Sequence, residues 1–223
     1  MSGLRVLLSS IAAATIVSGA ELAAQTRPRP IAPDPPAFTV RLFGDGGIDT
    51  LAAGRSFNAI LGEDRGPIFG GGAEAVLQSN WFVRVGVWRF KEAGERAVRL
   101  ENQTFRLGIP LTVTIVPVEV SAGYRFPMGR RKLLVPYAGG GVSSHSYKET
   151  STFAEANENV SERFTGYQLL GGVEYRLHRL FGLAGEVQWT TVPDALGAGG
   201  LSAEFDETDL GGLVVRARLL FGR

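Results

Sequence analysis

The chain has 223 residues, a formal net charge of +1 and no cysteine. Without cysteine there is no disulfide framework, thiolate metal site or cysteine nucleophile, and a net charge so close to zero gives no global reason to expect a nucleic-acid partner. Thirty glycines and a mean hydropathy of +0.07 fit neither a helical membrane protein nor a disordered chain.

Residues 1–24 predict a secretory signal peptide. Arg5 supplies the positive charge, residues 6–17 form a short apolar run, and small residues follow where a signal peptidase would cut. The apolar run is shorter than the roughly 20 residues that a membrane-spanning helix needs. Residues 25–36 hold five of the eleven prolines and predict an extended periplasmic linker. Residues 37–223 then form a single domain.

Eight stretches after residue 36 predict β-strands, because alternation of apolar and polar residues recurs in them while helical periodicity is absent. Most reach the roughly 9–11 residues that a tilted membrane-spanning strand requires. The predicted strands cover residues 37–49, 68–77, 81–91, 110–126, 133–147, 163–177, 181–192 and 210–221.

The connections between these strands alternate between long and short. Such sorting is typical of an up-and-down barrel in a bacterial outer membrane, whose periplasmic turns are tight and whose outward loops are long. The sequence therefore predicts an all-β, eight-stranded antiparallel up-and-down transmembrane β-barrel. The long connections are residues 50–67, 92–109, 148–162 and 193–209, and the short ones are 78–80, 127–132 and 178–180.

Aromatic residues indicate which face of the strands points outward. Alternation alone would also suit a soluble, calycin-like barrel with its apolar face inside. However, six aromatic residues lie on the apolar face at the short-turn ends of the strands, and the core of a small soluble barrel has no room for six rings in one layer. They predict an aromatic girdle at the periplasmic membrane interface, formed by Phe38, Trp81, Phe126, Tyr175, Phe181 and Phe221.

The polar face would then line the lumen with six arginines and five carboxylates. An eight-stranded barrel has an interior just wide enough for side chains to fill, and buried charges are tolerated there only when they are paired. We expect a plugged or nearly plugged lumen, with a narrow water path as the alternative. The predicted network comprises Arg41, Asp45, Glu74, Arg84, Glu119, Arg125, Glu174, Arg176, Glu186, Arg216 and Arg218.

Four residues fit this pattern poorly. Pro117 and Pro136 fall inside two of the strands, where each removes a hydrogen-bond donor from the ladder. We expect a bulge or a later strand start at each proline. Trp88 and Phe90 fall on the polar face of their strand.

The sequence resembles a known family at three places. VEVSAGYRF at 118–126, VPYAGGGVSSHSY at 135–147 and LGGLVVRARLLF at 210–221 are similar to strands of the OmpA/OmpW-like small outer-membrane β-barrels. The resemblance covers residues 37–223 and implies an eight-stranded barrel placed by the barrel-insertion machinery. That machinery usually reads a terminal aromatic residue, whereas here Phe221 is followed by two further residues.

One group of residues could support catalysis. His145 is flanked by Ser143, Ser144 and Ser146, with Glu149 nearby, and a Ser–His–acid set could carry out acyl chemistry on lipids. Because adjacent residues of a strand face opposite ways, only Ser143 shares a face with His145. We therefore expect a polar barrel rim, and we predict no catalytic, cofactor-binding or metal-binding residues.

The last two long connections are acidic. Residues 148–162 carry one lysine and four glutamates, and 193–209 carry five carboxylates. They could hold divalent cations at a lipopolysaccharide surface, although their spacing matches no calcium loop and a solvated loop is the simpler interpretation.

These observations predict a monomeric outer-membrane protein with a cleaved signal peptide. Its expected partners are outer-membrane lipid, lipopolysaccharide and, during assembly, the barrel-insertion machinery; no nucleic acid and no cofactor are expected. We expect a structural or surface-contact role through the long loops, without catalysis. The alternatives are a narrow pore or small hydrophobic-ligand transporter and, less favoured, a lipid A-modifying enzyme.

Overall fold

A computed structural model describes residues 37–101, 103–151 and 160–222, so the predicted signal peptide (1–24) and the linker (25–36) lie outside the described residues. The described chain forms eight strands, each antiparallel to the strand before it. They are β1 (Phe38–Leu51), β2 (Arg65–Leu77), β3 (Trp81–Leu100), β4 (Gln103–Arg125), β5 (Leu134–Ser151), β6 (Val160–Arg176), β7 (Phe181–Thr191) and β8 (Gly212–Gly222).

The sheet closes on itself because β8 pairs with β1. Arg218 lies opposite Asp45, and the ladder continues from Leu51 to Arg41. Closure leaves no unpaired sheet edge, and the predicted eight-stranded antiparallel barrel is confirmed. The connections after β2, β4 and β6 mark the short-turn end of the barrel, and the remaining connections mark its long-loop end.

The expectation of a bulge or late strand start at each proline is wrong. Pro136 lies within β5, opposite Val173, and its carbonyl accepts a hydrogen bond from Phe126 at 2.8 Å. Since the N–H and C=O of an antiparallel residue point to the same neighbour, the missing donor of Pro136 faces the chain just after β4 ends. Pro117 lies opposite His145 in an unbroken register.

The predicted loop at 92–109 is also wrong. Here β3 runs to Leu100 and β4 starts at Gln103, so the two strands continue as a paired hairpin beyond the rest of the barrel. The register shifts between Glu95 and Ala97. The strands were predicted from apolar–polar alternation, and this hairpin has polar residues on both faces. A solvated hairpin needs no apolar face, so the alternation is absent here.

Two other long connections contain helices that the sequence did not predict. Helix α1 (Gly54–Leu61) follows β1, and helix α2 (Gly200–Phe205) precedes β8. Each is too short for helical periodicity to emerge. Among the described residues, no helix is long and apolar enough to cross a membrane.

The interior has a polar section and an apolar section. Buried apolar side chains at the long-loop end include Phe57 of α1, which belongs to the same buried cluster as Leu51, Val192 and Leu210. Phe57 is 2% exposed and Phe90 is fully buried. Helix α1 therefore covers the barrel mouth with an apolar cap, below which the charged residues lie.

Candidate functional site

The outer wall of the barrel is an apolar belt. Its outward-facing side chains are mostly valine and leucine, and all six predicted girdle residues are exposed at the short-turn end: Phe38, Trp81, Phe126, Tyr175, Phe181 and Phe221. At the other margin of the belt, Phe69, Tyr167 and Trp189 are 64%, 56% and 52% exposed. Phe69 was not singled out from the sequence, because the glycines around it obscure the alternation.

Three of the girdle residues contact an aromatic ring on the neighbouring strand. The ring centroids of Phe181 and Phe221 are 5.5 Å apart with the rings edge to face, and those of Trp81 and Tyr124 are 5.4 Å apart. Edge-to-face geometry is the favoured arrangement for aromatic pairs. Aromatic contacts therefore occur in at least two places around the short-turn end of the barrel.

The interior at the short-turn end contains the first cluster of charges. Nη1 of Arg41 lies 2.9 and 3.0 Å from the two carboxylate oxygens of Glu174, and Arg41 also donates to Glu74. Arg125 donates to Glu174 from a third strand. These contacts join β1, β2, β4 and β6 across the lumen, so the pairing is not confined to neighbouring strands.

A second cluster surrounds Glu186 in the middle of the interior. Its Oε2 accepts hydrogen bonds from Nη1 of Arg84 at 2.6 Å, Nη1 of Arg218 at 2.8 Å and the hydroxyl of Tyr137 at 3.0 Å. Arg218 also donates to Asp45, with Nη2 2.7 Å from Oδ2. Arg84 further binds Glu74 at 2.8 Å and so links the two clusters.

Arg216 has looser ionic contacts than the other buried arginines. Its nearest carboxylate oxygens are 3.5 Å away on Glu186 and 3.9 Å away on Glu119. Its guanidinium lies 4.6 Å from the ring centroid of Trp88 and donates to Gln188. Cation–π attraction therefore takes the place of a close carboxylate.

Arg176 lies at the margin of the network. Its Nε is 3.3 Å from Glu174, but 38% of its side chain is exposed at the short-turn mouth. The other ten predicted lumen residues are brought into the interior contacts described here. Five of the six predicted arginines and all five predicted carboxylates thus lie in the enclosed part.

Trp88 and Tyr137 belong to the network, although the sequence did not assign them to it. The indole of Trp88 donates to Asp45, and the hydroxyl of Tyr137 donates to Glu186. Trp88 looked misplaced on a polar face, yet it combines a large apolar ring with one hydrogen-bond donor. This combination is the sequence feature that could have predicted a place for Trp88 in the polar network. Gln188, which donates to Glu119 at 2.9 Å, belongs to the part of the network nearest the long-loop end.

Packing of these side chains closes the lumen. The section lined by Arg41, Glu74, Arg84, Arg125 and Arg218 has no free volume at the size of a water molecule. Toward the long-loop end there is a cavity of only about 20 Å³, and at the short-turn mouth an open recess of about 250 Å³. The charged section between these two spaces is therefore packed too tightly to hold a water molecule.

Comparisons with known proteins identify the fold. No family model and no curated protein matches the sequence. Among solved structures, a major outer membrane protein from Thermus thermophilus aligns with a TM-score of 0.56 at 13% identity, over 84% of this chain and 100% of that one. Neisserial surface protein A aligns with a TM-score of 0.51 at 12% identity, over 84% of this chain and 98% of that one. The fold is that of an eight-stranded outer-membrane barrel.

His145 and Ser143 make a direct contact in this barrel. Ser143 Oγ lies 2.9 Å from His145 Nε2, and both side chains are buried. The cavity beside His145 is the one of about 20 Å³, which admits no acyl substrate. Within the described part of the chain, no three His, Asp or Glu side chains are grouped so that they could hold a metal.

Glu207 fastens α1 at the long-loop end of the barrel. It accepts hydrogen bonds from the backbone N–H groups of Arg55 and Ser56 at 3.0 and 2.9 Å and from the Ser56 hydroxyl at 2.6 Å. The first N–H groups of a helix lack partners within the helix, and the N-cap residue Ala53 has no polar side chain. A carboxylate from the acidic loop before β8 therefore caps α1.

Acid should release this cap. Burial raises the pKa of the Glu207 carboxyl, but hydrogen bonds from Ser56 and Arg55 outweigh it and hold the pKa below its ordinary value. A carboxyl with a lowered pKa stabilises the fold above its unfolded pKa and loses that contribution as pH falls through the folded pKa. We expect protease cleavage near α1 to accelerate below about pH 4.

The Glu207→Gln variant provides the matched control for limited proteolysis. Its α1 segment should be cleaved faster than wild type at neutral pH, and its cleavage should depend less on pH. Equal pH dependence in both proteins would show that another group controls the opening.

The β3–β4 hairpin is also tied to both helices. Arg106 donates to the carbonyls of Asn58 and Ala59 at the end of α1, and Arg99 donates to the carbonyl of Glu204 in α2 at 2.8 Å. Three of the long connections therefore form one connected outer structure. A cavity of about 590 Å³ lies within it, partly lined by Phe57, Ile60, Val98, Leu107 and Leu201.

Proposed function

We propose that this protein is an integral barrel of a bacterial outer membrane with a structural or surface-contact role, in which the paired charges plug the lumen. The exposed apolar belt is the observation that carries this proposal. A soluble protein rarely exposes contiguous apolar patches larger than a few hundred square ångströms. Here the apolar face encircles the barrel, while ten of the eleven predicted network charges lie inside.

The orientation and relationships of the protein are part of the proposal. The girdle lies at the short-turn end, which we assign to the periplasmic side, and the outer structure of hairpin and helices then faces the cell exterior. We further propose that the chain is exported through the signal peptide at 1–24 and is inserted by the barrel-insertion machinery. It would then be a monomeric member of the OmpA/OmpW-like barrels.

Membrane insertion and conductance test the proposal. The protein should be recovered in the outer-membrane fraction, and the folded barrel should migrate differently on gels before and after boiling. In a planar bilayer, wild type should show no resolved channels, because the interior section around Arg84 and Arg218 has no room for water. Reproducible channels in wild type would contradict a closed lumen and favour the narrow pore.

Replacing Arg216 and Arg218 together by serine should open a path. The double variant removes two long side chains and leaves the carboxylates of Asp45, Glu119 and Glu186 with fewer cations. The resulting conductance should be cation-selective. If the folded double variant stays closed, then the ion pairs are not the plug.

The outer cavity favours a second candidate function, which is binding of a small apolar ligand at the long-loop end. Val98 and Leu107 line it and remain 37% and 48% exposed. The closed lumen below argues against passage through the barrel centre. Titration of wild type and the Val98→Ser variant with alkanes or aromatic compounds tests this candidate, and the variant should bind more weakly. Identical binding by the two proteins, or no binding by either, would reject it.

A further inference from the structure

A one-sided cluster of cations lies on the outer wall of the barrel. It consists of Arg89 and Lys91 on β3, Lys148 on β5 and Arg163 on β6, and is called the basic patch below. All four side chains are exposed. No ion pair or hydrogen bond involves any of the four within the described residues. Among the described residues, no carboxylate therefore competes with an external anion for these four side chains.

Strand register brings the patch together. Lys91 lies opposite Thr114, which lies opposite Lys148, and Ser146 lies opposite Arg163. Neighbouring strands are about 4.8 Å apart, so the patch spans roughly 14 Å from β3 to β6. Small side chains between the cations leave a shallow groove of about 770 Å³, lined by Thr114, Val116, Ser144, Ser146 and three of the four cations.

The height of the patch matches a membrane boundary. Arg89 is eight residues beyond the girdle residue Trp81, and Arg163 is twelve residues from the girdle residue Tyr175. At about 3.3 Å per residue and a strand tilt of about 40°, these separations correspond to roughly 20–30 Å. The apolar band of such barrels is about 25 Å tall, so the basic patch lies at its outer margin.

The wall below the patch is apolar, and the opposite wall lacks a comparable patch among the described residues. Val87, Val118 and Val142 are about half exposed just below the cations. On the other four strands, the outward cation near this level is Arg65, 4.0 Å from Asp64. The charge is therefore concentrated on one side of the barrel.

We propose that the basic patch binds the phosphorylated headgroup of an outer-leaflet glycolipid of the lipid A type, with its acyl chains against the valines below. This proposal rests on the outer-membrane location proposed above. Lys and Arg bind phosphate through charge-assisted hydrogen bonds, and a span of roughly 14 Å suits a headgroup that carries more than one phosphate. A single inorganic phosphate would contact only part of the patch.

The test compares lipid A retention by the folded, detergent-solubilised barrel. The triple variant Arg89→Thr, Lys148→Thr, Arg163→Thr should bind bisphosphorylated lipid A on the order of a hundredfold more weakly than wild type, since each cation near an anionic membrane surface contributes several-fold. The control variant Arg130→Thr, Arg131→Thr, Lys132→Thr loses equal charge at the short-turn end and should bind as wild type does.

Dephosphorylated lipid A gives a measurement that does not depend on a variant. Wild type should bind it as weakly as the triple variant binds the bisphosphorylated form. Equal retention of both lipids by wild type would overturn the proposal, and so would an equal loss of lipid A binding in the control variant. Full displacement of lipid A by inorganic phosphate at the same phosphate concentration would also overturn it. If the barrel inserts into vesicles but binds both lipids equally, only the proposal for the basic patch is rejected. If the barrel fails to insert, the proposed function is rejected.

Discussion

The Glu186→Gln variant should be less stable than wild type by about 3–5 kcal/mol, the usual cost of removing one partner from a buried ionic cluster. Glu186 accepts hydrogen bonds from Arg84 and Arg218 and lies 3.5 Å from Arg216. Glutamine preserves the shape of the side chain but leaves three guanidinium groups near one neutral amide. Equilibrium unfolding in urea, followed by the loss of heat-modifiable migration, measures the difference.

Two further variants separate network loss from a general effect of the substitution. Glu204→Gln on α2 removes a carboxylate from an exposed position and should change stability by no more than about 0.5 kcal/mol. Adding Arg218→Gln to Glu186→Gln restores charge balance and should recover part of the loss. A Glu186→Gln variant as stable as Glu204→Gln would show that the ion pairs do not stabilise the barrel.

The second large effect is expected for Gly70→Val. Gly70 and Gly86 form the slot that holds the indole of Trp88. A Cβ on Gly70 would lie 2.3 Å from Cδ1 of Trp88 and 2.4 Å from the backbone oxygen of Val87. The strand cannot move away without breaking its ladder, so Trp88 must leave its site. We expect a loss of about 3 kcal/mol, at the upper end for overpacked interiors.

Gly185→Val is the matched control for this substitution. Gly185 faces outward on β7, and a Cβ there would meet no atom within 4 Å. Valine is favoured in strands, so this variant should be as stable as wild type or slightly more so. Urea unfolding of the two variants side by side distinguishes a steric effect at Trp88 from a general intolerance of valine. Similar losses in both would refute the slot.

The fold was accessible from the sequence because the barrel has two chemically different faces. Alternation placed Leu213 and Arg216 on opposite sides of β8 without any knowledge of their neighbours. Beyond the apolar belt, this contrast ends. The β3–β4 hairpin from Glu92 to Ile109 carries polar residues on both faces, and this stretch was therefore predicted as a loop.

Partners in the interior were not accessible in the same way. The sequence indicated which arginines and carboxylates share a face, but Arg41 and Glu174 are 133 positions apart and lie on strands that do not pair. Such contacts depend on barrel diameter and shear. The Glu207 cap of α1 spans 151 positions to Ser56, and the four cations of the basic patch become neighbours only through strand register.

The ion pairs inside the lumen also bear on how the barrel can assemble. Arg41 of β1 meets Glu174 of β6, Arg84 of β3 meets Glu186 of β7, and Asp45 of β1 meets Arg218 of β8. In the proposed outer-membrane location, a sheet that entered the bilayer without closing would leave these groups unpaired in hydrocarbon. We therefore expect strand insertion, closure of β8 onto β1 and pairing of the charges to occur together, so that assembly is cooperative and partly inserted sheets are disfavoured.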